Sequence, residues 1–382
     1  MHTIDIIDIM KSKNNFRILE QYKEHFDYSD SPLLIYWEST RACELACTHC
    51  RAEAVPFRHP NELRTQEVKN FFDDVKTFKS KVAPKIVVTG GDPLLRPDLF
   101  ELLNYASEIG LELSVTPAGT KRLNIEILKK IKDSGVKSLG LSLDGSCAEK
   151  HDSIRQVKDS FKLTAQACRI AVDLGFDVQI NSIVSDETLN DIPAIYQLIK
   201  HWGIARWALF FLIATGRGQQ LSEITDEQSE RFMNYLNQLI PQSDFPIKTT
   251  EAHHFRRIVY NKMKNRGMSD EQILQTPVGR GFGIRDANGI VFVSHTGEVY
   301  PSGFLPLKAG SLRDQSINQI YCNSELFKSL RNTDNLRGKC ARCEFKLICG
   351  GSRSRAYSES GDVLESDPLC IYESSNDISM MG

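Results

Sequence analysis

The chain has 382 residues, 41% of them hydrophobic and 25% charged, with 47 Lys and Arg against 49 Asp and Glu for a formal net charge of -2. This is globular composition, enough for a large core or two domains, and it lacks the basic excess that binding to nucleic acid or an anionic membrane would need. The longest apolar run, Ala205 to Ala214, contains Arg206 and is far too short for a membrane span; no secretory h-region is visible, so a cytoplasmic protein is expected.

After an extension over residues 1–32, short apolar runs alternate with amphipathic stretches. Strands are predicted at Leu33 to Trp37, Ile86 to Thr89, Leu111 to Thr116, Ser138 to Leu143, Val178 to Val184 and Trp207 to Leu212. Helices are predicted between them, near Thr65 to Phe78, Pro97 to Ile109, Asn124 to Asp133, Ser160 to Leu174 and Leu189 to Trp202. Such βα repetition implies the α/β class with a parallel sheet. A partial (β/α)6 barrel of the TIM type over residues 33–220 fits best, with a doubly wound sheet as the competing topology. In either, functional groups gather on loops leaving the C-terminal ends of strands. A connecting region over 221–289 holds a helix near Asp226 to Leu239. A hairpin from Ile290 to Tyr300 then opens a small domain over 290–382.

Ten cysteines in a cytosolic chain call for metal sooner than for disulfides, because ten thiols there stay reduced and these are clustered. Cys43-x3-Cys47-x2-Cys50 places three thiols on the loop after the first strand. Three ligands to a four-iron cubane leave one iron open; a structural zinc completed by His49 is the alternative. Gly90-Gly91-Asp92-Pro93 follows the second strand and by itself reads as a common strand-to-helix turn. Cys340-x2-Cys343-x5-Cys349-x20-Cys370 supplies four thiols, enough to close either a zinc or a four-iron site. Gly216-Arg217-Gly218 reads as a turn.

CxxxCxxC after the first strand, with His49 before its last cysteine and a GGDP turn after the second, resembles the radical SAM enzymes. The resemblance implies that Cys43, Cys47 and Cys50 hold a [4Fe-4S] cluster whose open iron chelates S-adenosylmethionine and cleaves it reductively to a 5′-deoxyadenosyl radical. It further implies cofactor contacts from His49, Gly90, Gly91, Asp92 and Pro93, from Ser142 and Arg155 to the methionine carboxylate, and from Gln179 and Asn181 to the ribose. Asp92 stands where many members have Glu.

The tail resembles the SPASM or twitch extension, which implies a second, auxiliary [4Fe-4S] cluster on Cys340, Cys343, Cys349 and Cys370. Ser302 and Arg353 stand near positions where two-cluster members have cysteine, so one auxiliary cluster is expected. Cys349-Gly350-Gly351-Ser352-Arg353 and Asp367-Pro368-Leu369-Cys370 look most like the radical SAM proteins of haem d1 and alternative haem biosynthesis. An oxidoreductase or lyase that decarboxylates or trims an iron tetrapyrrole is therefore expected, fed by an external electron donor such as flavodoxin or ferredoxin. The rivals are a peptide maturase and a non-enzymatic iron-sulfur scaffold or redox sensor. Lys248, His253, His254, Arg256 and Arg257 are the expected substrate residues, cations for propionates and imidazoles for iron. The alternative there is a helix capped at Thr250 with a solvated basic face.

Overall fold

The computed structural model describes residues 17–79 and 83–374; residues 1–16 of the expected extension lie outside the described residues. Seven parallel strands follow one another in the sheet: β1 (Leu34–Glu38), β2 (Lys85–Thr89), β3 (Leu113–Val115), β4 (Ser138–Ser142), β5 (Asp177–Val184), β6 (Arg206–Phe211) and β7 (Ile247–Thr250). Neighbours in sequence are neighbours in space throughout. A doubly wound sheet would reverse its order at a switch point, so the partial barrel is the observed topology.

The crossovers are α1 (Thr65–Val75), α2 (Leu99–Glu108), α3 (Ile125–Asp133), α4 (Ala148–Arg155), α5 (Ser160–Asp173) and α6 (Ile192–Ile199). Strand alternation decides which side chains they cover. In β1, Ile35 and Trp37 are fully buried in the core with Phe71 and Phe72 of α1, and Trp37 meets Phe72 edge-on at 5.6 Å. Each such side chain contributes about 1.5–3 kcal/mol by burial. Tyr36 and Glu38 point to the opposite face, into the barrel. The expected helix from Leu189 begins as a short 3-10 turn, and α6 starts at Ile192 with Pro193 in its first turn, where a missing N–H costs nothing.

Beyond the barrel come α7 (Asp226–Leu239), α8 (Phe255–Asn265), α9 (Asp270–Leu274), β8 (Arg285–Asp286), β9 (Gly289–Val293), β10 (Glu298–Tyr300), β11 (Gly310–Ser311), α10 (Ile317–Asn323), α11 (Glu325–Arg331), α12 (Gly338–Arg342) and α13 (Arg353–Ser360). Two features depart from the sequence expectation. The repeat gains β7, which pairs with β6 from Trp207↔Ile247 to Phe210↔Thr250. The hairpin does not stand in a sheet of its own: β9 runs parallel to β1 in the register Leu34↔Ile290, and β10 and β11 extend the same sheet. The unpaired edge of β1 is thereby covered, which removes an exposed row of backbone donors and acceptors.

Candidate active site

The cysteine loop leaves β1 and folds back over the barrel mouth. Cys43 and Cys47 are buried in one small cluster with Leu45 and Ala54, and Cys50 lies against it. Backbone N–H groups point at the sulfurs, Leu45 to Cys43 at 3.3 Å and Ala54 to Cys50 at 3.5 Å. Such donors stabilise metal-bound thiolate. Without metal, burial pushes the Cys43 thiol up to about 12. No three His, Cys, Asp or Glu side chains among the described residues already stand at metal-binding geometry. The site is therefore defined by its loops and donor set: three soft sulfurs, turned-in amides and no fourth cysteine.

The glycine turn after β2 serves this loop directly. Gly91 N–H donates to Thr40 O and Asp92 N–H to Ala42 O, each at 2.7 Å. A Cβ on Gly91 would stand 2.2 Å from Ala42 O, and one on Gly90 2.4 Å from Thr40 O. Only glycine allows so close a seat, and its N–H is spent on the cysteine loop, so a ligand there would meet carbonyl oxygens. Asp92 is fully buried. Its Oδ1 accepts from Leu94 and Ala118 N–H, its Oδ2 has no partner, and burial pushes the carboxyl up to about 6. An acceptor left open beside a glycine cradle fits a cationic ligand group. Pro93 opens the short turn that follows.

Ser142 ends β4 directly opposite Asn181 of β5. Gln179 Nε2 donates to Asn181 Oδ1 at 2.7 Å, and a Cβ on Gly140 would touch Asn181 Nδ2 and Thr116 Oγ1. These polar groups share one interior face, as strand alternation requires. His49 is half-buried; burial pushes its imidazole down to about 4 and leaves Nδ1 unpartnered.

Arg155, the last residue of α4, takes a position the sequence did not disclose. It donates to Cys47 Sγ at 3.5 Å and forms a buried ion pair with Asp144, while its carbonyl accepts from Ala46 N–H. Burial alone would raise the Asp144 carboxyl, but Arg155, followed by His49 and His151, outweighs it and holds that carboxyl below its usual range. Asp144 is a site residue missed by the motif reading, although it stands two residues after Ser142 at the same strand end. Arg217 was missed as well. The Gly216-Arg217-Gly218 turn is a clamp: Arg217 donates to Cys47 O and Ala54 O, each at 2.9 Å, and its N–H to Cys50 O.

The tail cysteines converge from α12 and the loops around α13. Cys349 feels Cys370, Cys343 and Cys340, and burial raises its thiol well above the ordinary value. Gly351 N–H donates to Cys349 Sγ at 3.4 Å, and Asp367 N–H to Cys340 Sγ at 3.5 Å. A Cβ on Gly351 would press on Arg353 and Cys340 Sγ. Four soft sulfurs with amide donors fit a closed thiolate-bound metal site. At the two positions that lack cysteine, Ser302 bonds Ser354, and Arg353 donates to the carbonyls of Val363 and Glu365. Arg355 ties the tail to the mouth, donating to Leu212 O after β6 and Glu251 O after β7 while pairing with Glu223. Both cysteine sites therefore lie toward the C-terminal end of the strands.

The basic segment after β7 is not the open surface expected. His253 and His254 are buried, and His254 Nε2 bonds Ser229 Oγ at 2.8 Å. Arg256 donates to Ile348 O and Ile284 O, and Arg257 pairs with Glu230. Lys248 is separated from them near the start of β7, where its charged neighbours are Arg206, Lys85 and Arg280. The histidines and arginines join the barrel to the tail, and although Nδ1 of His253 and of His254 has no partner, both rings are buried. The expected helix start at Thr250 is displaced too, since α8 begins at Phe255.

Residues 37–199 match the model of the radical SAM superfamily, and residues 286–344 match that of SPASM, an iron-sulfur cluster-binding domain. The chain is 36% identical to the AdoMet-dependent heme synthase of Methanosarcina barkeri over 90% of this chain and 97% of that one. It is 37% identical to the AdoMet-dependent heme synthase of Oleidesulfovibrio alaskensis over 91% of this chain and 89% of that one. Among solved structures, Streptococcus suis SuiB bound to S-adenosylmethionine superposes with a TM-score of 0.69 at 14% identity, covering 97% of this chain and 84% of that one. At that identity the likeness speaks for the fold. No described helix is long and apolar enough to cross a membrane.

Proposed function

The chain belongs to the radical SAM superfamily, and on that premise we propose that it removes carboxyl groups from the propionate side chains of an iron tetrapyrrole, in the formation of haem or a haem-type cofactor. The superfamily chemistry itself, an enzyme using S-adenosylmethionine and a [4Fe-4S] cluster with an auxiliary iron-sulfur domain, follows from the family. The observation that carries the substrate is the match to haem synthases at 36% and 37% identity over nine-tenths of the chain.

When bound, the first cluster supplies one electron to S-adenosylmethionine and so yields the hydrogen-abstracting radical. Cys43, Cys47 and Cys50 would hold that cluster, with the glycine turn and Arg217 fixing their loop. The carbonyls of Gly90 and Gly91 and the free Asp92 Oδ2 would face the methionine ammonium. Ser142, Gln179 and Asn181 would receive the carboxylate and ribose along one interior face. Arg155 would reach the same carboxylate only while sharing its guanidinium with Asp144 and Cys47. Cys340, Cys343, Cys349 and Cys370 would hold the auxiliary cluster. We divide the chain accordingly into an extension over 1–32, a barrel over 33–220, a connecting region over 221–289 that adds β7 to the barrel sheet, and a cluster domain over 290–382 whose strand β9 pairs with β1. The external donor is an electron-transfer protein of the flavodoxin or ferredoxin class.

The test is anaerobic turnover of the reconstituted protein with S-adenosylmethionine, a reductant and an iron porphyrin carrying several propionates. The expected result is 5′-deoxyadenosine together with a porphyrin lighter by carbon dioxide and the hydrogen lost with it. If no iron porphyrin binds or turns over while a peptide gains a crosslink or an inverted residue, the maturase reading takes its place.

A further inference from the structure

Three guanidiniums, of buried Arg285 and Arg353 and half-buried Arg256, crowd the tail cysteines with no carboxylate bonded to any of them. Arg256 donates to the carbonyl of Ile348, next to Cys349, at 3.1 Å and to that of Ile284 at 2.6 Å. Arg285 donates to Gly283 O at 2.9 Å and Arg331 O at 2.7 Å, and a Cβ on Gly350 would stand 2.9 Å from its Cδ. Arg353 is fully buried; it donates to Gly351 O, Val363 O and Glu365 O, and its Nη2 lies 3.9 Å from Cys340 Sγ. Every hydrogen bond these three make among the described residues goes to a carbonyl or to that sulfur. Arg257 adds a fourth cation near Cys370, but Glu230 pairs with it. Three buried carboxylates stand close by, of which Glu251 is engaged by Ser352 Oγ. Asp286 is engaged by Ser354, and Asp367 by Ser352 N–H and Arg355.

Burying a guanidinium without an anion costs several kcal/mol, so the three cations call for negative charge that the polypeptide alone does not supply in contact with them. An iron-sulfur centre on four thiolates is such an anion, and it gains a further negative charge when reduced. Fixed cations favour the more negative, reduced form. The cysteine loop is arranged otherwise. There Arg155 is paired with Asp144 and Arg51 with Glu38, and buried Asp92 stands near Cys43. Arg41 and Arg217 are the cations at that loop whose bonds among the described residues go to carbonyls alone.

We propose that Arg256, Arg285 and Arg353 raise the reduction potential of the iron-sulfur centre that the tail cysteines would hold above that of the centre on the cysteine loop. The consequence for turnover rests on the tetrapyrrole reading. A propionate side chain that has lost one hydrogen atom to the adenosyl radical expels carbon dioxide, leaving a vinyl group and one electron. The centre that Cys340, Cys343, Cys349 and Cys370 would hold would supply a one-electron acceptor there, with an external electron-transfer protein to take the electron on.

The experiment is a redox titration of the full chain with both centres loaded and no tetrapyrrole present, followed by electron paramagnetic resonance. The Cys43→Ala, Cys47→Ala, Cys50→Ala triple variant identifies the tail signal. The tail midpoint should lie above that of the loop centre; an equal or lower midpoint overturns the proposal without any further variant. Arg256→Met and Arg285→Met should each weaken electron uptake at the tail about tenfold, ~59 mV for one electron, and Arg256→Lys should restore most of the loss. An unchanged midpoint in both Met variants also overturns it. If a Met variant fails to retain tail iron, the wild-type ordering and the Lys variant decide. Because no tetrapyrrole takes part, failure of this ordering and failure of the substrate assignment are read separately.

Discussion

At the cysteine loop three thiols are positioned mainly by backbone: glycines that allow carbonyls within van der Waals reach, amides turned toward sulfur, and an Arg217 clamp on two carbonyls. Two of its guanidiniums are matched, Arg155 with Asp144 and Arg51 with Glu38, while Arg41 and Arg217 bond carbonyls. At the tail four thiols sit among guanidiniums of which Arg256, Arg285 and Arg353 are bonded to carbonyls and not to carboxylates. The first arrangement leaves a coordination position open and keeps local charge near balance, which suits a site that must admit a charged cofactor. The second closes the ligand set and leaves positive charge to be answered by the metal centre. Ligand number and charge balance together separate a site for chemistry from one for electrons.

The largest test of this contrast removes one side entirely. Replacing Cys43, Cys47 and Cys50 by Ala should abolish reductive cleavage of S-adenosylmethionine and lower iron from about eight to about four per chain, as two cubanes require. Iron analysis and the tail spectrum check it. Loss of all iron would show that the two sites do not load independently.

Next in size is the matched charge at the loop. Asp144→Asn leaves Arg155 buried without its carboxylate and should cost about 3–5 kcal/mol, measured by denaturant unfolding. The sign with pH follows from the depressed carboxyl: its stabilisation is present above the ordinary carboxylate value and is lost as pH falls through the lower folded value. The Asn variant should lack that loss on the acid side.

A smaller effect probes the backbone seat. Gly91→Ala forces a Cβ to 2.2 Å from Ala42 O and should destabilise by about 1–3 kcal/mol, with iron lost from the loop site and retained at the tail. Equal loss from both sites would show that the glycine seat does not serve the loop site alone.

The smallest concerns Glu251, buried between mouth and tail and bonded to Ser352. Burial, then Asp286, pushes its carboxyl up to about 8. The folded chain holds that proton where the unfolded chain has released it, so this contribution is full below the ordinary carboxylate value and is lost as pH rises toward 8. Wild type should be less stable at pH 8 than at pH 6 by thermal unfolding, and Glu251→Gln should flatten the difference.

What local pattern could show, the sequence displayed. Thiol spacing states how many sulfurs a short loop can bring to one metal, and period-2 and period-3.6 runs state strands and helices, because both depend on residues a few positions apart. Cys43, Cys47 and Cys50, the GGDP turn and six of the seven barrel strands were legible on those terms. Only tertiary structure decided where charged side chains went. Arg256 and Arg257 read as cations for a substrate, yet their partners are Ile348 O, Ile284 O and Glu230, supplied by remote segments. Arg155 acquired Asp144, and β9 found the edge of β1 more than 250 positions away. A long side chain carries its charge in the sequence, but its partner and its burial are set by whichever distant backbone the fold brings against it. The electrostatics of both sites was therefore fixed at that level.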